Sequence, residues 1–123
     1  MAEEARQIHP QALPNYQAAV VPRAKLEEYV LNPNHDPGMH KARVFKSVLG
    51  FEQSDWELLR QRILDELPYN AAELKAEGPF GKRYDVTLSI TGPNQQTADV
   101  VTGWIIRRDT DFPSLVTARV AKK

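Results

Sequence analysis

There is no cysteine in this sequence. That removes disulfides and thiolate zinc sites outright, and with them the usual framework of a small secreted domain. Long apolar runs are missing too, since none approaches the ~20 residues that a membrane-spanning helix requires. The opening stretch MAEEARQIHPQALPNYQ has neither a basic n-region nor an apolar h-region, so no secretory signal is expected and a cytoplasmic location is. Glycine is scarce, at six residues, and neither a Walker motif nor a Gly-x-Gly-x-x-Gly loop is present. Net charge is absent as well: 16 basic residues face 16 acidic ones. This weighs against avid nucleic-acid binding, whose strength comes mainly from neutralising phosphates with Lys and Arg. The cations nevertheless cluster, as His40, Lys41, Arg43 and Lys46, as Lys82 with Arg83, and as Arg107 with Arg108. The acids gather elsewhere, in Glu27, Glu28 and the third expected helix.

What is present suits one domain. A chain of 123 residues, 41% hydrophobic and 26% charged, builds a single modest core and is not compositionally disordered. Residues 1–20 read as a loose N-terminal arm and 21–123 as a single α+β domain. In VPRAKLEEYVLN, Leu26, Tyr29 and Val30 recur at helical spacing, and Asn32 and Pro33 stop the element. A second helix is expected from Pro37 or Gly38 to Leu49, with Ala42, Phe45, Val48 and Leu49 as its buried stripe and Gly50 as a left-handed cap. Lys41 lies beside Phe45 along the i, i+4 row. SDWELLRQRILDELP is the clearest helix. Ser54 and Glu57 have the spacing of a capping box, Trp56, Leu59, Ile63 and Leu67 form an apolar line, and Pro68 ends it.

From there the period changes to two. KRYDVTLSI alternates Tyr84, Val86, Leu88 and Ile90 with Arg83, Asp85, Thr87 and Ser89. After the turn TGPNQQ, TADVVTGWIIRR carries apolar residues on both parities, as a central strand does. SLVTARVAK is the last strand and AELKAEG an additional edge strand. The predicted fold is therefore α+β: three N-terminal helices packed on a three- to four-stranded antiparallel sheet.

Three kinds of chemistry bear on the polar residues. His35, Asp36 and His40 are a poor metal set, because Pro37 and Gly38 break the helix that would place both imidazoles on one face; no metal and no cofactor is expected. No serine occupies a nucleophile elbow. Metal-independent RNA cleavage asks for less: a base for the 2′-hydroxyl, an acid for the leaving oxygen, and cations or hydroxyls against the phosphorane. His35, His40, Lys41, Arg83, Arg107 and Thr117 are the residues available for those tasks. Each also has an ordinary structural reading. His35 suits a turn, His40 a solvated helix start, and Lys41 can cover apolar surface with its stem. Trp104 suits the core, Arg107 can pair with Asp109 or Asp111, and Thr117 has simple β propensity.

The stretches LPNYQAAVVPRAKLEEYVLNPNHDPGMHKARVFKSVLGF, DWELL, GKRYDV, GPNQQTADVVTGWIIR and FPSLVTA carry a family likeness. From Leu13 to Ala118 the chain resembles a bacterial domain family known as a domain of unknown function (number 6883). The family pattern falls here on Lys25, His35, Gly38, Lys41, Ala42, Thr102, Trp104, Pro113, Leu115, Val116 and Thr117. His40 lies outside that pattern, and Arg119 stands where the family continues with an aromatic residue. The resemblance implies toxin-like associations. The order of helices before a meander is similar to that of the barnase, EndoU, colicin-ribonuclease and RelE group of RNases. Together these imply a metal-independent RNase-like toxin domain. His35 would be its acid or base, and Lys41 and Arg107 would hold the phosphate. Thr117 would bond the phosphate or orient a base, with Trp104 supporting the site and Arg83 and Lys25 binding further phosphates. RNA is then the expected substrate and a small acidic antitoxin or immunity-like protein the expected partner. The alternative is a non-catalytic protein-interaction module, in which His35 and Gly38 only shape a loop and Lys41 packs or pairs internally.

Overall fold

The computed structural model describes residues 6–34 and 39–121, and within them the helical half of the chain precedes the strands. The fold is α+β. Four strands, β1 (Ala72–Gly78), β2 (Gly81–Thr91), β3 (Thr97–Arg107) and β4 (Ser114–Val120), form one antiparallel sheet in the order β1-β2-β3-β4. The alternation read from the sequence holds: Val86, Leu88 and Ile90 are buried while Thr87 and Ser89 are exposed. AELKAEG is indeed an edge strand. Its charged residues and a register shift between Leu74 and Ala76 blunt an edge that would otherwise invite pairing.

Two features of the sheet place the residues of interest. β2 and β3 pair without interruption from Gly81↔Arg107 to Thr91↔Thr97. Between β3 and β4, Gly103 pairs with Thr117 and Trp104 with Leu115, which leaves Val116 as the extra residue of a bulge. One sheet face, with Val86, Leu88, Val100, Trp104, Leu115 and Ala118, enters the core. Asp85, Gly103 and Thr117, aligned across three strands, belong to the opposite face.

The helical layer differs from the expectation of three amphipathic α-helices. Lys25–Val30 is a π-helical segment, closed by Leu31 N–H donating to the Leu26 carbonyl at 2.8 Å. The wider turn aligns residues five apart, so that Leu26 and Leu31 both reach the core. Helix α1 (Met39–Val44) runs into a second π-helical turn, Phe45–Leu49. Ala42, Phe45 and Leu49 are buried as expected, but Val48 is 37% exposed, because the widened winding carries it off the apolar stripe. Gly50 is the left-handed cap, at φ 79°. Helix α2 (Trp56–Glu66) buries Leu59 and Ile63. The capping box lies two residues before the expected one: Glu52 N–H donates to Asp55 Oδ2 at 2.9 Å, at the head of the 3₁₀ turn Gln53–Asp55. Trp56 packs against the core only in part, and the guanidinium groups of Arg23 and Arg60 stand 4.6 and 4.8 Å from its ring.

Residues ahead of the helices also join the core. Leu13 is 1% exposed, Gln11 accepts a hydrogen bond from Ala72 N–H, and Val20 bridges to Ser114 in parallel. No helix among the described residues is long and apolar enough to cross a membrane.

Candidate functional site

The first turn of α1 aims Lys41 toward the bulged part of β4. Its ammonium donates to Thr117 Oγ1 at 2.9 Å and to the Tyr29 hydroxyl at 3.0 Å, joining residues 76 and 12 positions away. Local chemistry explains the placement. Ala42 and Phe45 fix the buried side of α1, so Lys41 emerges at its border with a half-buried stem. Tyr29 is held by its neighbours Leu26 and Val30, both fully buried, and is itself half-buried against the core. Thr117 follows the bulge residue, opposite Gly103. An ammonium has three N–H donors. Tyr29 and Thr117 take two, and the same ammonium stands over the Tyr29 ring, 4.9 Å from its centroid.

Cations dominate this cluster. The hydrogen bond from Lys41, before any other cause, holds the Tyr29 hydroxyl below the ordinary tyrosine range. Burial opposes the shift, while the charge of Lys41, a hydrogen bond with Thr117 and the charge of Lys25 reinforce it. Lys25 thus stands one helical turn from Tyr29 on the same element and adds to the positive field. Because the folded state favours the phenolate, Tyr29 adds stability above the unfolded tyrosine value of about 10. That contribution is lost as pH falls through the lowered folded value. In an alkaline titration followed by phenolate absorbance, Tyr29 is expected to ionise early. Tyr29→Phe should remove that early step and Lys41→Met should move it upward; an unchanged curve in the Phe variant would exclude the assignment.

The other sequence candidates lie apart. Arg107 ends β3 opposite Gly81, four residues or roughly 13 Å along the strand from Gly103. It lines, with Lys82, Arg108, Asn15 and Asp111, a cleft of about 460 Å³ at the far end of the sheet. The structure therefore brings Lys41 to Thr117 but places Arg107 in a cleft that neither of them lines, because the strand register sets the two positions apart. Arg83 pairs with Ile105 between these regions and is half-buried. Trp104 is fully buried; its Nε1–H donates to Thr102 Oγ1 at 2.8 Å, and that hydroxyl donates to the Val86 carbonyl at 2.7 Å. It offers no face for stacking. His35, Asp36 and Gly38 lie outside the described residues. His40 is exposed. A second cleft, of about 530 Å³, opens between α1 and the Gln53 turn and is lined by Leu31, Pro33, Arg43, Lys46 and Phe51. Among the described residues no group of three His, Cys, Asp or Glu side chains is placed to hold a metal.

Tyr29 is the residue that sequence reasoning missed. Its i, i+3, i+4 spacing with Leu26 and Val30 marked it as core, and one signal to the contrary was its position four residues after Lys25. The family model described as a domain of unknown function (DUF6883) matches residues 12–122. No curated protein and no solved structure matches the chain.

Proposed function

For a chain that belongs to the DUF6883 family, the assignment has to come from the site itself, and we propose a metal-independent RNase-like toxin domain that cleaves RNA by transesterification. The observation that carries this reading is the three-way junction of Lys41, Tyr29 and Thr117, reinforced by Lys25. The Lys41 ammonium and the hydroxyl of Thr117 suit a phosphate oxygen, and the charge of Lys25 adds to the attraction. A tyrosine with a lowered pKa beside them suits proton transfer to a leaving 5′-oxygen, since phenolate is stabilised where the proton departs. A second proton-transfer group has to come from outside this junction. His35 is the residue the sequence offers for it, while Arg107 and Arg83 would contact phosphates further along a strand. Helices followed by an antiparallel meander, the order of barnase-, EndoU- and RelE-type RNases, support the reading by analogy of fold alone. A small acidic antitoxin or immunity-like protein in the cytoplasm would cover the cationic cluster.

The purified domain is expected to cleave single-stranded RNA in the presence of EDTA. Lys41→Ala should lower the rate by about 10²–10³, the usual cost of removing one preorganised charge-stabilising donor. Thermal unfolding of the variant shows whether the fold survives. No cleavage by folded wild type would remove the reading. One observation favours the alternative of a non-catalytic protein-interaction module: Lys41, Tyr29 and Thr117 line neither of the two clefts described above. On that reading, wild type and Lys41→Ala leave RNA equally intact.

A further inference from the structure

The face of the sheet that carries Thr117 also carries a carboxylate, Asp85, that was not among the candidate site residues of the sequence. Asp85 on β2 pairs with Gly103 on β3, and Gly103 pairs with Thr117 on β4. The three residues form one row across the sheet, and the middle one has no side chain. A Cβ at Gly103 would stand 3.2 Å from Thr117 Cγ2 and 3.7 Å from Asp85 Oδ1. Thr117 and Asp85 thus wall Gly103 on either side, with less than a methyl group's room between them. Beyond the threonine wall lie the Lys41 ammonium and the Tyr29 hydroxyl. Asp85 is only half-buried, and among the described residues its carboxylate makes no ion pair. Lys75 on β1, whose charge interacts with Asp85, is held 3.1 Å from Glu73.

We infer that Asp85 is the general base of the cleavage reaction, taking the proton of the attacking 2′-hydroxyl from the side of the phosphate opposite Tyr29. The inference rests on the RNase reading above. In-line displacement at phosphorus needs a proton acceptor behind the attacking oxygen and a donor behind the leaving one, on opposite sides of the phosphate. A phosphate seated on Lys41 and Thr117 would meet Tyr29 on the side of the junction and Asp85 on the side of Gly103. The 2′-hydroxyl proton passes to the Asp85 carboxylate as the 2′-oxygen bonds to phosphorus. The bond from phosphorus to the 5′-oxygen then breaks, and that oxygen takes the Tyr29 proton. The products are a 2′,3′-cyclic phosphate and a 5′-hydroxyl. Solvent returns the proton from Asp85 to Tyr29, so no co-reactant is consumed. In this arrangement the thiol-free, metal-free chemistry is complete without His35.

Single-turnover cleavage of a short oligoribonucleotide in EDTA tests the assignment, alongside binding of the same oligonucleotide with a 2′-deoxy group at the scissile position. Asp85→Asn is expected to lower the cleavage rate by about 10²–10⁴ and to leave affinity for the uncleavable analogue within about threefold, roughly 0.65 kcal/mol. Asp85→Glu should recover part of the rate, and His35→Ala should retain more activity than Asp85→Asn. If Asp85→Asn cleaves like wild type while Lys41→Ala is impaired, Asp85 is not the base and the RNase reading stands. Equal losses of rate and of analogue affinity would make Asp85 a structural or binding residue and overturn the inference. A wild type that cleaves no RNA overturns both.

Discussion

Replacing Gly92 with alanine is expected to cost on the order of 4–5 kcal/mol, a loss comparable with the whole stability of many domains of this size. The reason lies in how the β2–β3 turn seats on the helical layer. A Cβ on Gly92 would overlap the Leu49 carbonyl oxygen and stand 2.6 Å from Leu49 Cβ. Neither atom can give way, because Leu49 is fully buried and its carbonyl is already used: Asn94 N–H donates to it at 3.3 Å. The Asn94 side chain donates in turn to the Val48 carbonyl at 3.1 Å. The turn therefore supplies donors to the end of the Phe45–Leu49 segment, whose last carbonyls have no partner within the helix. Gly92 is the point of closest approach, and its own N–H closes the turn on the Gln96 carbonyl at 2.9 Å. Urea unfolding monitored by tryptophan fluorescence and by far-UV circular dichroism checks the expectation. A midpoint for Gly92→Ala near that of wild type would show that the turn does not sit against Leu49.

This seam shows what the sequence made legible and what it did not. TGPNQQ reads as a turn from Gly, Pro and Asn alone, and Gly50 reads as a helix cap. That the two meet follows from the register of β2 with β3 and from the π-helical winding of Phe45–Leu49, neither of which leaves a mark in local composition. The same division runs through the candidate site. The strand alternation, the edge strand β1 and the border position of Lys41 were all readable, because each depends on spacing within one element. The separation of Arg107 from Thr117 was not, because it depends on which residue of β3 faces which residue of β4. Asp85 was indistinguishable from any polar residue on the solvent parity of a strand until the Asp85–Gly103–Thr117 row was known. Tyr29 was rightly read on the packed side of its segment, but its part in the junction was not legible, because a spacing pattern cannot separate a packed ring from a hydroxyl that bonds elsewhere.

Trp104 gives the second large effect, and its two truncations separate packing from chemistry. Trp104→Ala is expected to cost about 3–5 kcal/mol. The side chain is the largest among those fully buried and touches the common core of helices and sheet. Its indole N–H also completes a relay: Trp104 Nε1–H donates to Thr102 Oγ1, and Thr102 donates to the Val86 carbonyl. Thr102 is the one buried polar residue among the described residues, and the indole is what occupies its acceptor side. Trp104→Phe keeps most of the volume but removes the donor, so its cost should be near 1 kcal/mol, the net value of one hydrogen bond. The pair of variants bears on the site because Thr102 adjoins Gly103, which separates Asp85 from Thr117. If Trp104 acts only by holding β3 in place, Trp104→Phe should match wild type in the RNA-cleavage assay of the proposed function at temperatures well below its unfolding transition. A Phe variant that is stably folded yet impaired in RNA binding would instead bring the indole back into the functional site.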